Sequence, residues 1–223
     1  MKLSFRWYGF DDSIPLSYIR EIPNLSTIVS SIYDVKAGEE WGENSLISLK
    51  KAVTDNGMKL EVIESIPVSE DIKMGTNKRD EHIEIFKKNL ALCGKHGVKV
   101  VCYNFMPVFD WLRTDMHHRL ADGSEALSYS RDDFDKIDPK HLHLPGWDES
   151  YTPDELQALL DKYRHVSHER LFENLVYFLN AIMPICDQYN ISMAIHPDDP
   201  PWDVFSLPRI VSNEKDIDHL FEA

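Results

Sequence analysis

Short apolar runs rich in β-branched and aromatic residues alternate along the chain with stretches whose apolar positions recur every three or four residues. The first kind fits buried strands and the second amphipathic helices. Five strands are predicted, at residues 2–7, 27–33, 59–65, 99–104 and 191–196. Between them Leu46, Leu49 and Val53 form one helical stripe before the stop signal Asn56-Gly57, and Ile83, Phe86, Leu90 and Cys93 form another before Gly94. Thr152-Pro153-Asp154-Glu155 reads as a capping box with Pro at the first helical position, followed on one face by Leu156, Leu159, Leu160 and Tyr163. A longer helix over 167–189 carries Leu171, Leu175, Leu179, Ile182 and Cys186, and Pro184 is expected to kink it or end its regular part. Asn213 caps a last stripe of Ile217, Leu220 and Phe221.

Strand and helix repeated in this way predict an α/β fold with parallel pairing through right-handed crossovers. The residues after the first strand, Arg6-Trp7-Tyr8-Gly9-Phe10, contain no Gly-rich phosphate fingerprint, which favours a (β/α)8 TIM barrel over a doubly wound dinucleotide fold. A closed barrel of eight units takes about 250 residues. Here an insertion at about 107–165 takes up nearly sixty of the 223 residues, and about five βα units remain. The expectation is a partial barrel over 1–223 whose missing units lie outside the sequence, because five strands alone leave two long edges open. Asp122-Gly123-Ser124 and Pro145-Gly146-Trp147-Asp148 mark the insertion as turn-rich, and it leaves the carboxyl end of the fourth strand, where barrels keep their active sites. A lid over a substrate pocket is the function expected of it.

Charge narrows the partners. With 24 Lys and Arg against 38 Asp and Glu, the net charge of −14 repels nucleic acid and anionic membrane surfaces alike. No run of ~18 apolar residues offers a membrane span, and the start Met1-Lys2-Leu3-Ser4-Phe5-Arg6 is not a signal peptide, so a cytoplasmic protein is expected. Cys93, Cys102 and Cys186 are odd in number and sit in apolar pattern, as buried thiols in a reducing compartment do.

Candidate chemistry gathers at the strand ends. Alternation puts Ile191, Met193 and Ile195 toward the helices and Ser192, Ala194 and His196 toward the barrel interior, and the prolines of His196-Pro197-Asp198-Asp199-Pro200-Pro201 stiffen the chain just beyond. A neutral imidazole so placed suits a divalent transition metal, and a hydrogen-bonded core histidine is the plainer alternative. Asp198 and Asp199 read equally as acids that orient the imidazole, as further ligands, or as loop caps. Arg6 could pair with a substrate carboxylate, and Glu64 and Asn104 could contact hydroxyls, against structural roles as ion pairs or turns. His117-His118 lacks helical ligand spacing, and Trp111, Trp147 and Trp202 suit either a pocket wall or packing.

Several strings then resemble a known family: Phe5-Arg6-Trp7-Tyr8-Gly9, the run from Val62 to Val68, the run from Val101 to Trp111, Leu144-Pro145-Gly146-Trp147, and Ile195-His196-Pro197-Asp198-Asp199-Pro200-Pro201 with Leu207-Pro208-Arg209-Ile210. Together they look like mannonate dehydratase, over the whole chain. The resemblance implies a xylose-isomerase-like (β/α)8 barrel and a lyase that removes water from D-mannonate to give 2-keto-3-deoxy-D-gluconate in hexuronate breakdown, with Mn²⁺ or Fe²⁺. It implies that His196 is a metal ligand. It also implies that a Cys, a second His and an Asp complete the metal site from strands beyond Ala223, with a catalytic His and a Tyr nearby. The chain by itself is then expected to be inactive. Arg6, Arg209 and the metal are the cations expected to draw an anionic sugar acid toward so acidic a protein. A homo-oligomer is compatible with this reading. A sugar isomerase or epimerase on the same barrel, and a non-catalytic truncated product, are the alternatives.

Overall fold

In the computed structural model, residues 2–137 and 151–223 are described. The motif Leu144-Pro145-Gly146-Trp147 and the turn signal through Asp148 lie outside them. The elements run β1 (Leu3–Arg6), α1 (Leu16–Ile19), β2 (Leu25–Ser30), α2 (Glu43–Asp55), β3 (Lys59–Glu64), α3 (Glu70–Met74), α4 (Arg79–Lys95) and β4 (Val100–Tyr103). There follow β5 (Asp115–Arg119), β6 (Glu125–Ser128), α5 (Arg131–Phe134), α6 (Pro153–Tyr163), α7 (His168–Tyr189), β7 (Ser192–Ile195) and α8 (Glu214–Glu222). The chain divides into two compact units, Met1–Asn104 with Tyr177–His196, and Phe105–Val176 with Pro197–Ala223.

The first unit holds one parallel sheet in the order β1-β2-β3-β4-β7. Sequence order and spatial order coincide, so each crossover steps to the next strand in the same direction. A doubly wound sheet reverses its order at a switch point, whereas a sheet wound in one direction is the pattern of a barrel. One face is buried at its centre: Ile28, Ile63 and Val101 have no exposed surface, and Tyr103 is nearly as covered. Helices pack on that face, and Phe178 of α7 meets Phe86 of α4 edge-on at 4.9 Å and Tyr103 at 6.0 Å. The predicted stripes of α2 and α4 supply much of this core, with Leu46, Leu49, Val53, Ile83, Phe86, Leu90 and Cys93 all buried. Gly94 lets two helices touch, since a Cβ there would come within 2.4 Å of the Tyr189 side chain.

Three details depart from the pattern. Pro184 lies inside α7 and does not end it, since the helix continues from His168 to Tyr189. One missing N–H removes a single bond of the ladder, and the buried Leu175, Phe178, Ile182 and Cys186 hold the helix on either side of it. The turn-rich insertion contains an antiparallel hairpin, β5 with β6, around Asp122-Gly123-Ser124. Finally, Asn213 caps α8 as expected, but α8 buries no residue and Phe221 is 86% exposed.

The second unit is built on aromatic contacts and on the loop after His196. Phe205 packs on Phe134 at 4.7 Å and on Phe109 at 5.5 Å, and Tyr129 meets Trp202 at 5.4 Å. The helix α6 begins with the predicted capping box of Thr152 and Glu155.

Candidate active site

Four of the sequence-predicted residues stand at the carboxyl edge of the sheet. Arg6 and Glu64 are the last residues of β1 and β3, and Asn104 and His196 directly follow β4 and β7. Register fixes the face. Glu64 pairs with Cys102, Cys102 with Ala194, and Arg6 with Val29, so these side chains project away from the face that carries Ile63 and Val101. The backbone N–H of His196 donates to the Tyr103 carbonyl at 2.8 Å, which continues the ladder one residue past β7 and puts the imidazole on the same side as Ala194. His196 is exposed, and Arg6, Glu64, Cys102 and Asn104 are half-buried.

Arg6 and Glu64 come together. They lie on strands separated by β2, about 10 Å apart by strand spacing, and their long side chains close that gap in a 2.7 Å ion pair. The Arg6 guanidinium also lies 4.7 Å from the centre of the Tyr8 ring. Burial, the largest influence, works to lower the pKa of Arg6, but the hydrogen bond and charge of Tyr33, then Glu64 and Tyr8, carry it above its ordinary value. Cys102, in register with Glu64 on the next strand, is pushed up to about 11 by burial and by Glu64, against the opposing charge of Arg6. Its thiol is therefore held as the neutral form.

The loop after β1 is held locally. The Asp12 carboxylate accepts from the backbone N–H groups of Ile14 at 2.9 Å and Tyr8 at 2.8 Å, and these bonds keep it below the usual carboxylate range. Gly9 has a φ of 85° and lies against the Tyr33 ring, where a Cβ would approach to 3.2 Å. Tyr33 in turn donates to the Trp7 carbonyl at 3.3 Å.

The other predicted residues belong to the second unit. Arg209 is 4% exposed and donates to the Phe109 carbonyl at 3.0 Å, while its Nε and Nη1 have no hydrogen-bond partner among the described residues. Burial lowers its pKa, and Asp198, Asp110, Asp199 and Asp203 oppose that effect. Asp198 acts as a loop clasp, accepting from the Val211 N–H at 2.6 Å and the Ser212 hydroxyl at 3.0 Å. Asp199 forms a two-pronged pair with Arg113 at 2.8 and 2.9 Å, a partner that sequence spacing of 86 residues gave no means of finding. His117 pairs with Glu125 across the hairpin at 3.0 Å and is 81% exposed at its side chain. Trp111 lies 5.2 Å from the Arg113 guanidinium, and Trp147 is outside the described residues.

A metal centre needs several donors at one point. Among the described residues no three His, Cys, Asp or Glu side chains gather to hold an ion, so these residues do not by themselves fit a divalent metal. His196 offers one imidazole.

Known proteins share this sequence and fold. The family model for D-mannonate dehydratase (UxuA) matches residues 1–223. The mannonate dehydratase of Oceanobacillus iheyensis is 48% identical over 222 residues, which are 99% of this chain and 64% of that protein. That of Streptococcus equi subsp. zooepidemicus is 47% identical over 225 residues, covering 100% of this chain and 62% of the relative. The crystal structure of mannonate dehydratase from Streptococcus suis serotype 2 superposes with a TM-score of 0.90 at 43% identity, across 100% of this chain and 62% of that one. The chain thus spans a little under two thirds of the length of these relatives, and its five parallel strands form a partial barrel. By its match along every residue and by its fold, the chain belongs to the mannonate dehydratase family.

Proposed function

We propose that the protein carrying this chain is a hydro-lyase that converts D-mannonate into 2-keto-3-deoxy-D-gluconate and water during hexuronate breakdown. The observation that carries the reading is the strand-end face of Arg6, Glu64, Asn104 and His196 in a chain similar to mannonate dehydratases from end to end. In this reaction the proton on the carbon beside the carboxylate leaves and the hydroxyl on the next carbon departs as water, giving an enol that becomes the keto acid. The part assigned to this chain is to bind and orient the sugar acid. Arg6, Glu64 and Asn104 present donors and acceptors at one edge of the sheet. The proton-transferring groups are assigned to residues outside 1–223.

The proposal includes Mn²⁺ or Fe²⁺ as cofactor, with His196 as one ligand and the rest outside the described residues. A cytoplasmic location fits three free thiols and a net charge of −14, and no helix among the described residues is long and apolar enough to cross a membrane. Metal analysis and a keto-deoxy-acid assay on the full-length protein test the assignment of His196. His196→Ala is expected to lose bound metal and dehydration together, and retention of both removes His196 from the site. Interconversion of an aldose and a ketose with D-mannonate left inert would instead establish an isomerase on this barrel.

A further inference from the structure

We infer that the Arg6–Glu64 pair, flanked by Tyr8, is the subsite for the hydroxylated tail of the substrate and not for its carboxylate. The inference rests on the sugar-acid reading above and says which end of the molecule these residues take. A guanidinium recognises a carboxylate best when its charge and its fork of donors are unoccupied. Here one Nη of Arg6 is already bonded to Glu64 at 2.7 Å, and the Nε is buried, so the two-pronged fork is not open to a second carboxylate. Its charge is neutralised locally, and a second carboxylate brought to the pair would meet the Glu64 carboxylate as a like charge.

What the pair does present is a donor and an acceptor side by side, with side chains 33% and 34% exposed. Neighbouring hydroxyls, each able to donate and accept, match that arrangement, because one can accept from guanidinium N–H while the other donates to the carboxylate. Tyr8 beside them is 59% exposed as a residue, and its ring offers an apolar surface to the C–H groups of a carbon chain. The surroundings hold the loop beside the pair: Tyr33 bonds the Trp7 carbonyl, Gly9 admits the Tyr33 ring, and Asp12 ties Tyr8 into its turn.

The test is equilibrium binding to the full-length protein of three probes: D-mannonate, D-mannitol, which has the hydroxyls and no carboxylate, and a four-carbon aldonate of the same configuration at its second and third carbons. Glu64→Gln is expected to weaken D-mannonate and D-mannitol about tenfold or more, the size of losing a hydrogen bond to a charged group, and to leave the four-carbon acid unchanged. A wild-type protein that does not bind D-mannitol overturns the inference, as does a variant that weakens the four-carbon acid as much as D-mannonate. Should Glu64→Gln fail to fold, Tyr8→Leu at the exposed ring carries the same comparison, with unchanged binding of all three probes as the contrary result. A wild-type protein that binds D-mannitol through Glu64 yet removes no water from D-mannonate refutes the dehydratase reading and upholds the subsite.

Discussion

Cys93, Cys102 and Cys186 are free thiols whose surroundings keep them protonated. Burial pushes Cys93 from an ordinary value of 9.0 up to about 12, and Cys102 and Cys186, again chiefly through burial, to about 11. Thiol reagents at pH 8 should therefore react slowly with the native protein and promptly once it is unfolded; fast native labelling of Cys93 would contradict this burial. The same shifts bear on stability. Each thiol holds its proton longer in the folded state than in the unfolded one, so its contribution is complete below pH 9.0 and disappears as pH rises toward about 11 for Cys102 and Cys186 and about 12 for Cys93. Urea midpoints followed upward from pH 8 should fall through this window, and less steeply in Cys93→Ala; identical slopes would show that Cys93 does not carry the effect. At this scale the sequence was informative about position more than partnership. Alternation along 191–196 was enough to put His196 on the face opposite Ile195, but the Arg6–Glu64 and Arg113–Asp199 pairs join residues distant in the chain, and no local periodicity encodes them.

Among the elements, the contact of α4 with α7 gives two opposed effects to weigh. Alanine is a better helix former than glycine by about 1 kcal/mol, which favours Gly94→Ala. The new Cβ, however, would stand 2.4 Å from the Tyr189 side chain, and overpacking of this kind costs about 1–3 kcal/mol. Gly94→Ala should thus lower the urea midpoint, and a raised midpoint would mean that the helices separate without cost. At α6, Thr152→Ala removes the cap that accepts from Glu155 and should destabilise by about 1 kcal/mol, read as a lower Tm; an unchanged Tm would show that the box is dispensable. Strands and long helices were legible because their apolar positions follow the period of a packed face. The β5–β6 hairpin was not, since its residues are mostly exposed and polar and so leave no buried alternation to read. The stripe of α8 shows the converse, an amphipathic pattern with none of its residues buried.

For the whole molecule, the order of strands matters more than their number. Five parallel strands added one after another in a single direction bring the ends of β1, β3, β4 and β7 to one edge, and that edge collects Arg6, Glu64, Asn104 and His196 from residues 6 to 196 of the chain. The winding was legible as alternating strands and helices without a phosphate-binding glycine motif. A complete set of metal donors was not legible and is not assembled among the described residues. The most direct measurement is NMR of D-mannonate incubated with the full-length protein and Mn²⁺ or Fe²⁺. The account predicts that the signals of D-mannonate give way to those of 2-keto-3-deoxy-D-gluconate; D-mannonate left unchanged, or turned into an isomer without loss of water, would contradict it.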